Sequence, residues 1–276
     1  MKNKIDSLIN DALHKHFNHV RKTMPNEFAE KFFNERVEEA AVKTVLKNIL
    51  LIQPWLKKKS QPTIDILDVG MGTGKLPVAL RAMGYNVYGL DDDGGGSRST
   101  EHLKQMFPSI VVAVCSLETA TFPFEDNKFD LVTSLDVIEH LPASPRHFLR
   151  EIHRVLKPEG VLFLSNPNPA SLYNCIRLLI GKSIHDPISD FFNSSFQGEA
   201  GEYSGHWREY TLEELEYMVK SVGFTIEKKG HRSTEMVNLS AISKTVYALY
   251  IKLASTICYR SLRYMPQIAT LLGDEN

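Results

Sequence analysis

The chain has 276 residues, 43% of them apolar, enough to bury a full core, and its length allows one or two domains. With 32 basic against 33 acidic residues the formal net charge is −1, so no global field favours a polyanion and no nucleic-acid partner is expected. Cys115, Cys175 and Cys258 are odd in number and far apart, so they form neither a metal-ligand spacing nor a disulfide framework, a usage that suits a reducing cytoplasm.

Ile5, Leu8, Ile9, Leu13, Phe17 and Val20 recur at near-helical spacing, and a second helical stretch runs from about Glu27 to Ile52 after Pro25. Residues 1–62 therefore read as helices preceding the core, with padding of the sheet as their plain reading. Pro54, the run Lys57-Lys58-Lys59 and Pro62 mark a solvated connection, with the lysine run read as a loop. No apolar run follows Met1-Lys2-Asn3-Lys4 and none reaches 18 residues anywhere, so neither a secretory leader nor a membrane span is expected.

From residue 64 onward strands and helices alternate at spacings that imply right-handed crossovers and a parallel sheet. Strands are expected near 64–69, 86–90, 110–115, 129–135, 160–166 and 224–230, and helices near 75–84, 98–107, 145–156 and 211–222. Pro77 falls in a first helical turn, where its missing N–H costs little, and Thr211 with Glu214 forms a capping box.

The stretch Ile64-Asp65-Ile66-Leu67-Asp68-Val69-Gly70-Met71-Gly72-Thr73-Gly74-Lys75-Leu76 reads as a buried strand, a turn with three alternate glycines, and a helix start. Without Cβ atoms the turn lets backbone N–H groups and the positive helix end approach a ligand. The dinucleotide pattern G-x-G-x-x-G would need glycine at Lys75 or Pro77, and the phosphate-loop pattern would need glycine at Val69 and a hydroxyl residue at Leu76. Neither fits. What fits is acidic-x-Gly-x-Gly-x-Gly.

Residues 167–210 are too long for an ordinary strand–helix connection and carry Tyr173, Phe191, Phe192, Phe196, Tyr203, Trp207 and Tyr210. They are read as an insertion with a small apolar core that leaves the carboxyl end of a strand, the ligand-binding side of open α/β sheets, and so serves as a substrate cap. From Met236 to Gly273 there is no Asp or Glu, while Val246, Leu249, Tyr250, Leu253 and Ile257 recur at helical spacing among Lys244, Lys252, Arg260 and Arg263. This tail reads as a basic amphipathic helix, suited to an anionic bilayer surface or to docking on the protein's own sheet.

The glycine motif does not stand alone. With Val87-Tyr88-Gly89-Leu90-Asp91, Phe122-Pro123-Phe124, Lys128-Phe129-Asp130-Leu131-Val132, Asp136-Val137-Ile138-Glu139-His140-Leu141, Leu156-Lys157-Pro158-Glu159-Gly160-Val161-Leu162 and Tyr210-Thr211-Leu212-Glu213-Glu214-Leu215 to Gly223-Phe224, the chain resembles the class I S-adenosylmethionine-dependent methyltransferases, in the branch that includes ubiquinone- and menaquinone-biosynthesis enzymes. The resemblance covers residues 64–230 and leaves the flanks uncovered. It implies an α/β, Rossmann-like three-layer sandwich with a mostly parallel seven-stranded sheet whose last strand is antiparallel; here only Gln267 to Leu272 could supply that strand. The expected organisation is N-terminal helices (1–62), an S-adenosylmethionine-binding core (63–166), an inserted substrate cap (167–210), the end of the core (211–235) and an amphipathic helical tail (236–276).

The resemblance also implies roles for single residues. Gly70, Gly72 and Gly74 would form the groove for the donor, and Asp68 would orient the loop and the donor's amino group, with a turn-forming aspartate as the plainer reading. Asp91, 21 residues after Gly70, stands where a carboxylate accepts the ribose hydroxyls, with Asp92 as the neighbouring alternative. Ser116 and the Leu117 backbone would meet adenine, Glu118 would be a solvated surface residue, and Leu135 and Asp136 would line the donor side. A base is needed only for an acceptor that must lose a proton, and His140 and His206 are the candidates, His140 alternatively holding its loop. The other histidines lack partners at metal-ligand spacing and no metal is expected. The function implied is methyl transfer from S-adenosylmethionine to a small or lipid-linked acceptor, at oxygen, in the cytoplasm, with the tail offering a peripheral attachment to the inner face of the membrane. The alternative is a non-catalytic S-adenosylmethionine-binding regulator or scaffold; the oligomeric state is not legible.

Overall fold

The computed structural model describes residues 2–23, 30, 34–58, 63–92, 109–192, 205–233 and 268–275. The chain divides into two compact units, Met1–Thr133 and Ser134–Asn276.

In the first unit, helix α1 (Lys2–Thr23) buries Ile9, Leu13, Phe17 and Val20 completely, one stripe at spacings of three and four, while Leu8 lies off the stripe and is exposed. Helix α2 (Glu35–Lys58) starts at Asn34, whose Oδ1 accepts the Val37 N–H at 2.9 Å. The helix runs through Pro54 to Lys58, so Lys57 and Lys58 are helical rather than looped. The reason lies in burial: Ile52 and Leu56, one turn apart on either side of Pro54, are both in the core, and that anchorage outweighs the lost backbone hydrogen bond.

Strand β1 (Asp65–Val69) leads through the glycine turn into helix α3 (Lys75–Ala82). Strands β2 (Asn86–Asp91), β3 (Val111–Val114) and β4 (Phe129–Leu135) follow. β1 pairs in parallel with β2 (Ile66↔Val87) and with β4 (Leu67↔Val132), and β2 pairs in parallel with β3 (Tyr88↔Val111). Ile66, Leu67 and Val69 are fully buried, as continuous apolar strands of a covered parallel sheet must be. Helix α1 packs on α2 and α3, and α3 on β2. The helix expected over 98–107 lies outside the described residues.

The second unit opens with a single 3₁₀ turn at Ile138–His140, then helix α4 (Arg146–Val155) and strand β5 (Leu156–Pro167). Helices α5 (Leu172–Leu179) and α6 (Ile188–Phe192) occupy the insertion, followed by α7 (Leu212–Ser221), β6 (Thr225–Ser233) and β7 (Ile268–Glu275). The Thr211–Glu214 capping box is realised in both directions. Strand β7 exists where the sequence could barely supply it, between β5 and β6, but it is parallel to both (Val161↔Ile268, Thr225↔Ile268) rather than antiparallel. Residues 268–275 are therefore strand, and the helical tail expected from residue 236 lies outside the described residues up to 267.

Among the described residues of the insertion, Leu179 (85%), Phe192 (81%) and Ile188 (75%) are exposed on its helices of eight and five residues, while Phe196 and Tyr203 of the expected apolar core lie outside the described residues. Phe191 meets Trp207 edge-on and Tyr210 is buried.

Candidate functional site

The turn after β1 folds as it does because of its glycines. Gly70, Gly72 and Gly74 have φ of 72°, 51° and 66°, a left-handed conformation at alternate positions that side chains with a Cβ rarely adopt. Strand β2 holds the turn: Gly70 and Met71 donate their N–H groups to the Leu90 carbonyl (2.7 and 3.2 Å), and Gly72 donates to Asp91 Oδ2 at 2.6 Å. Among the described residues nothing lies within 4 Å of the place where a Gly72 Cβ would sit, which leaves that side of the turn open.

Two buried carboxylates flank this turn. Asp68, 6% exposed, accepts the Thr133 hydroxyl at 2.6 Å. Burial pushes its carboxyl up to about 7; the Thr133 hydroxyl pulls the other way and the charge of Asp91 adds to the rise. Asp91, 3% exposed, spends one oxygen on the Gly72 amide and the other on the Asp92 amide at 2.9 Å, so the residue read as a ribose partner is also the organiser of the turn. Asp92 is exposed and enters only through its amide. Ser116 is exposed and its hydroxyl accepts from the Thr119 amide and hydroxyl (3.3 and 3.0 Å), closing a turn, while Leu117 is buried. Glu118 is not fully solvated: it is half-buried, with Oε1 out of contact with water.

The second unit carries the remaining candidates. Leu135 is half-buried and Asp136 exposed, at the left-handed φ of 57°, an unusual state for a residue with a Cβ. It is fixed there by Ser165, whose hydroxyl donates to Asp136 Oδ1 at 2.9 Å and whose carbonyl accepts the Asp136 amide at 3.1 Å. His140 donates from Nδ1 to the Gly205 carbonyl at 3.2 Å, so it does hold the loop. His206 donates from Nδ1 to Glu209 Oε1 at 2.8 Å, and its amide donates to Asp186 at 3.0 Å. The two imidazoles stand edge to face, 4.9 Å apart. In each neutral ring Nε2 then carries the lone pair. The Glu209 hydrogen bond raises the His206 pKa, burial opposes it, and the charges of Glu139, Glu209 and Asp186 add to the rise.

Sequence reasoning missed Glu139 and Glu209. Glu139 is 0% exposed, with Oε1 4.0 Å from His206 Nε2, and its carbonyl accepts the amides of Trp207 and Arg208 (2.8 and 3.2 Å). The ligand atoms of Glu139, His140 and His206 lie within 4.8 Å of one another, so among the described residues this is the group that could hold a metal ion. The adjacency of Glu139 to His140 was legible in the sequence; the return of residues 205–209 upon it was not.

Residues 67–164 match the family described as "Methyltransferase domain". This stretch is a methyltransferase domain. The resemblance read from the sequence is borne out, and relatives from Mycolicibacterium smegmatis and Mycobacterium tuberculosis, each 28% identical, are named as probable S-adenosylmethionine-dependent methyltransferases. The chain is 36% identical over 107 residues to the ubiquinone biosynthesis O-methyltransferase of Pseudomonas aeruginosa strain UCBPP-PA14, covering 38% of this chain and 45% of that one. It is 32% identical over 125 residues to the mitochondrial ubiquinone biosynthesis O-methyltransferase of Mus musculus, 44% of this chain and 33% of that one. The chain thus spans less than half the length of either of these O-methyltransferases. A crystal structure of an S-adenosylmethionine-dependent methyltransferase from Archaeoglobus fulgidus is similar over 83% of this chain and 90% of that one, with 18% identity and a TM-score of 0.48. The methyltransferase domain's own residues fit its donor: an open turn of left-handed glycines and two buried carboxylates suit a cationic nucleoside.

Proposed function

We propose that the protein transfers a methyl group from S-adenosylmethionine to an oxygen of a small or lipid-linked acceptor. The observation that carries this reading is the tie between Asp91 and the amide of Gly72 inside a matched methyltransferase domain. Asp68, Asp91 and the backbone of Gly70, Gly72 and Gly74 would hold the donor, with Ser116 and Leu117 toward its base. Bound S-adenosylmethionine supplies an electrophilic methyl group on a sulfonium centre. Transfer is an in-line displacement, so the protein's main work is alignment. A hydroxyl acceptor must also lose a proton, and His206, held by Glu209 in the tautomer with its lone pair on Nε2, is the group to take it. His140 braces the same loop from Gly205.

The choice of oxygen and of a quinone-precursor-like acceptor is supported by the two relatives from Pseudomonas aeruginosa and Mus musculus, both named O-methyltransferases of ubiquinone biosynthesis. A cytoplasmic location is supported by the spacing of Cys115, Cys175 and Cys258, which forms no disulfide framework; among the described residues no helix is long and apolar enough to cross a membrane. Attachment of residues 236–267 to an anionic membrane face rests on their sequence pattern alone.

The test is incubation of the full chain with methyl-labelled donor and a cell lysate, followed by separation into lipid, small-molecule, protein and nucleic-acid fractions. Label in an ether-linked lipid or small molecule is the expected result. Label confined to protein or nucleic acid overturns the acceptor class, and tight donor binding without label in any fraction favours the non-catalytic alternative.

A further inference from the structure

The glycine turn is held from two sides. On one side stand its own motif and β2, through Leu90 and Asp91. On the other stands α1: the His16 imidazole donates from Nε2 to the carbonyl of Thr73, 57 residues away, at 3.0 Å. A carbonyl can only accept, so His16 must be the tautomer with its proton on Nε2. The ring is 5% exposed, its neighbour Phe17 is wholly buried and meets it edge-on at 6.1 Å, and Leu13 and Val20 anchor the same face of α1. Burial lowers the His16 pKa to about 4, so the ring is neutral across the physiological range and the donor remains in place. Thr73 lies between Gly72 and Gly74, both left-handed, where the backbone has the most alternatives.

We propose that His16 is a positioning residue for the methyl donor: by holding the Thr73 carbonyl it fixes the glycine turn in the conformation that binds S-adenosylmethionine. This rests on the donor-binding reading above and extends it to a helix outside the matched domain. The helix α1 is thereby part of the donor site's support rather than padding on the sheet.

The test compares His16→Leu, which keeps apolar bulk without the donor, with His16→Gln, whose amide can reach the same carbonyl, in the full chain. Loss of one buried hydrogen bond should weaken binding of S-adenosylmethionine and S-adenosylhomocysteine about tenfold in His16→Leu, and His16→Gln should recover most of it. The donor KM should rise in step while kcat at saturating donor stays within about twofold, the pattern of lost ground-state binding. Hydrogen exchange supplies a readout that needs no variant: donor binding to the wild type should slow exchange over Leu13–Val20 of α1 as well as in the glycine turn. Unchanged affinity in a folded His16→Leu, equal weakness in both variants, or no added protection over Leu13–Val20 overturns the proposal. A wild type that binds no donor overturns the donor reading itself, a result distinct from each of these.

Discussion

The side chain of Asn166 engages both backbone groups of Tyr210, donating from Nδ2 to its carbonyl at 3.1 Å and accepting its amide on Oδ1 at 2.7 Å. Asn166 is wholly buried at the end of β5 and Tyr210 is buried just before α7, so one side chain closes the two ends of the insertion. Asn166→Ala leaves an amide and a carbonyl buried without that partner, and should cost about 2–4 kcal/mol of stability in urea denaturation. A loss below about 1 kcal/mol would mean that water replaces the clamp.

Donor binding should depend on pH through Asp68. Its carboxyl, pushed up to about 7 chiefly by burial, is ionised only on the alkaline side, where it complements a cationic ligand. Affinity for S-adenosylmethionine should therefore rise as pH goes from about 6 to 8, by up to about tenfold, and Asp68→Asn should flatten the slope. The stability of the unliganded protein runs the other way. A carboxyl raised from 3.8 to about 7 contributes stability that is present below its unfolded pKa and lost as pH rises through the folded one. Over that window Asp68→Asn should remove a falling component from the stability profile. Calorimetry with the donor and thermal melts at several pH values read the two effects separately.

The pH–rate profile should report His206. Its pKa is raised first of all by the hydrogen bond to Glu209, so the basic form appears only above the ordinary imidazole value of 6.5. The rate of transfer to a hydroxyl acceptor should climb with pH to an inflection above 6.5, and Glu209→Gln should bring that inflection down. His206→Gln should lower kcat about a hundredfold or more at the plateau, the usual worth of a positioned base. A profile unmoved by Glu209→Gln removes His206 as the base.

What could be read from the sequence follows from what is local. The strand at 129–135 and the capping box at Thr211 were legible because periodicity and caps are properties of adjacent residues. The continuation of α2 through Pro54 was not, because the burial of Ile52 and Leu56 that overrides the proline is a tertiary fact. Strand β7 was legible as an apolar run, yet its parallel direction depends on pairing partners more than 30 residues away in sequence. In the candidate site the glycines, Asp68 and Asp91 stood out by motif. The Glu139–His206–Glu209 arrangement did not, because it requires residues 205–209 to return upon the 136–140 turn.

Gly89 is required by a neighbour rather than by its own backbone. It pairs with Asp68 across β1 and β2, and a Cβ built on it would lie 2.0 Å from Met71 Sδ. Met71 sits inside the glycine turn and is 5% exposed, so it cannot turn outward without opening the core. Gly89→Ala should therefore destabilise the protein by about 1–3 kcal/mol, as overpacking does, and weaken donor binding by displacing the turn. Met71→Ala alone leaves a cavity and also destabilises. The double variant should be more stable than the sum of the two losses, because the alanine methyl enters the space that methionine vacates. A thermodynamic cycle over the four proteins measures that coupling, and strict additivity would show that Met71 relaxes elsewhere.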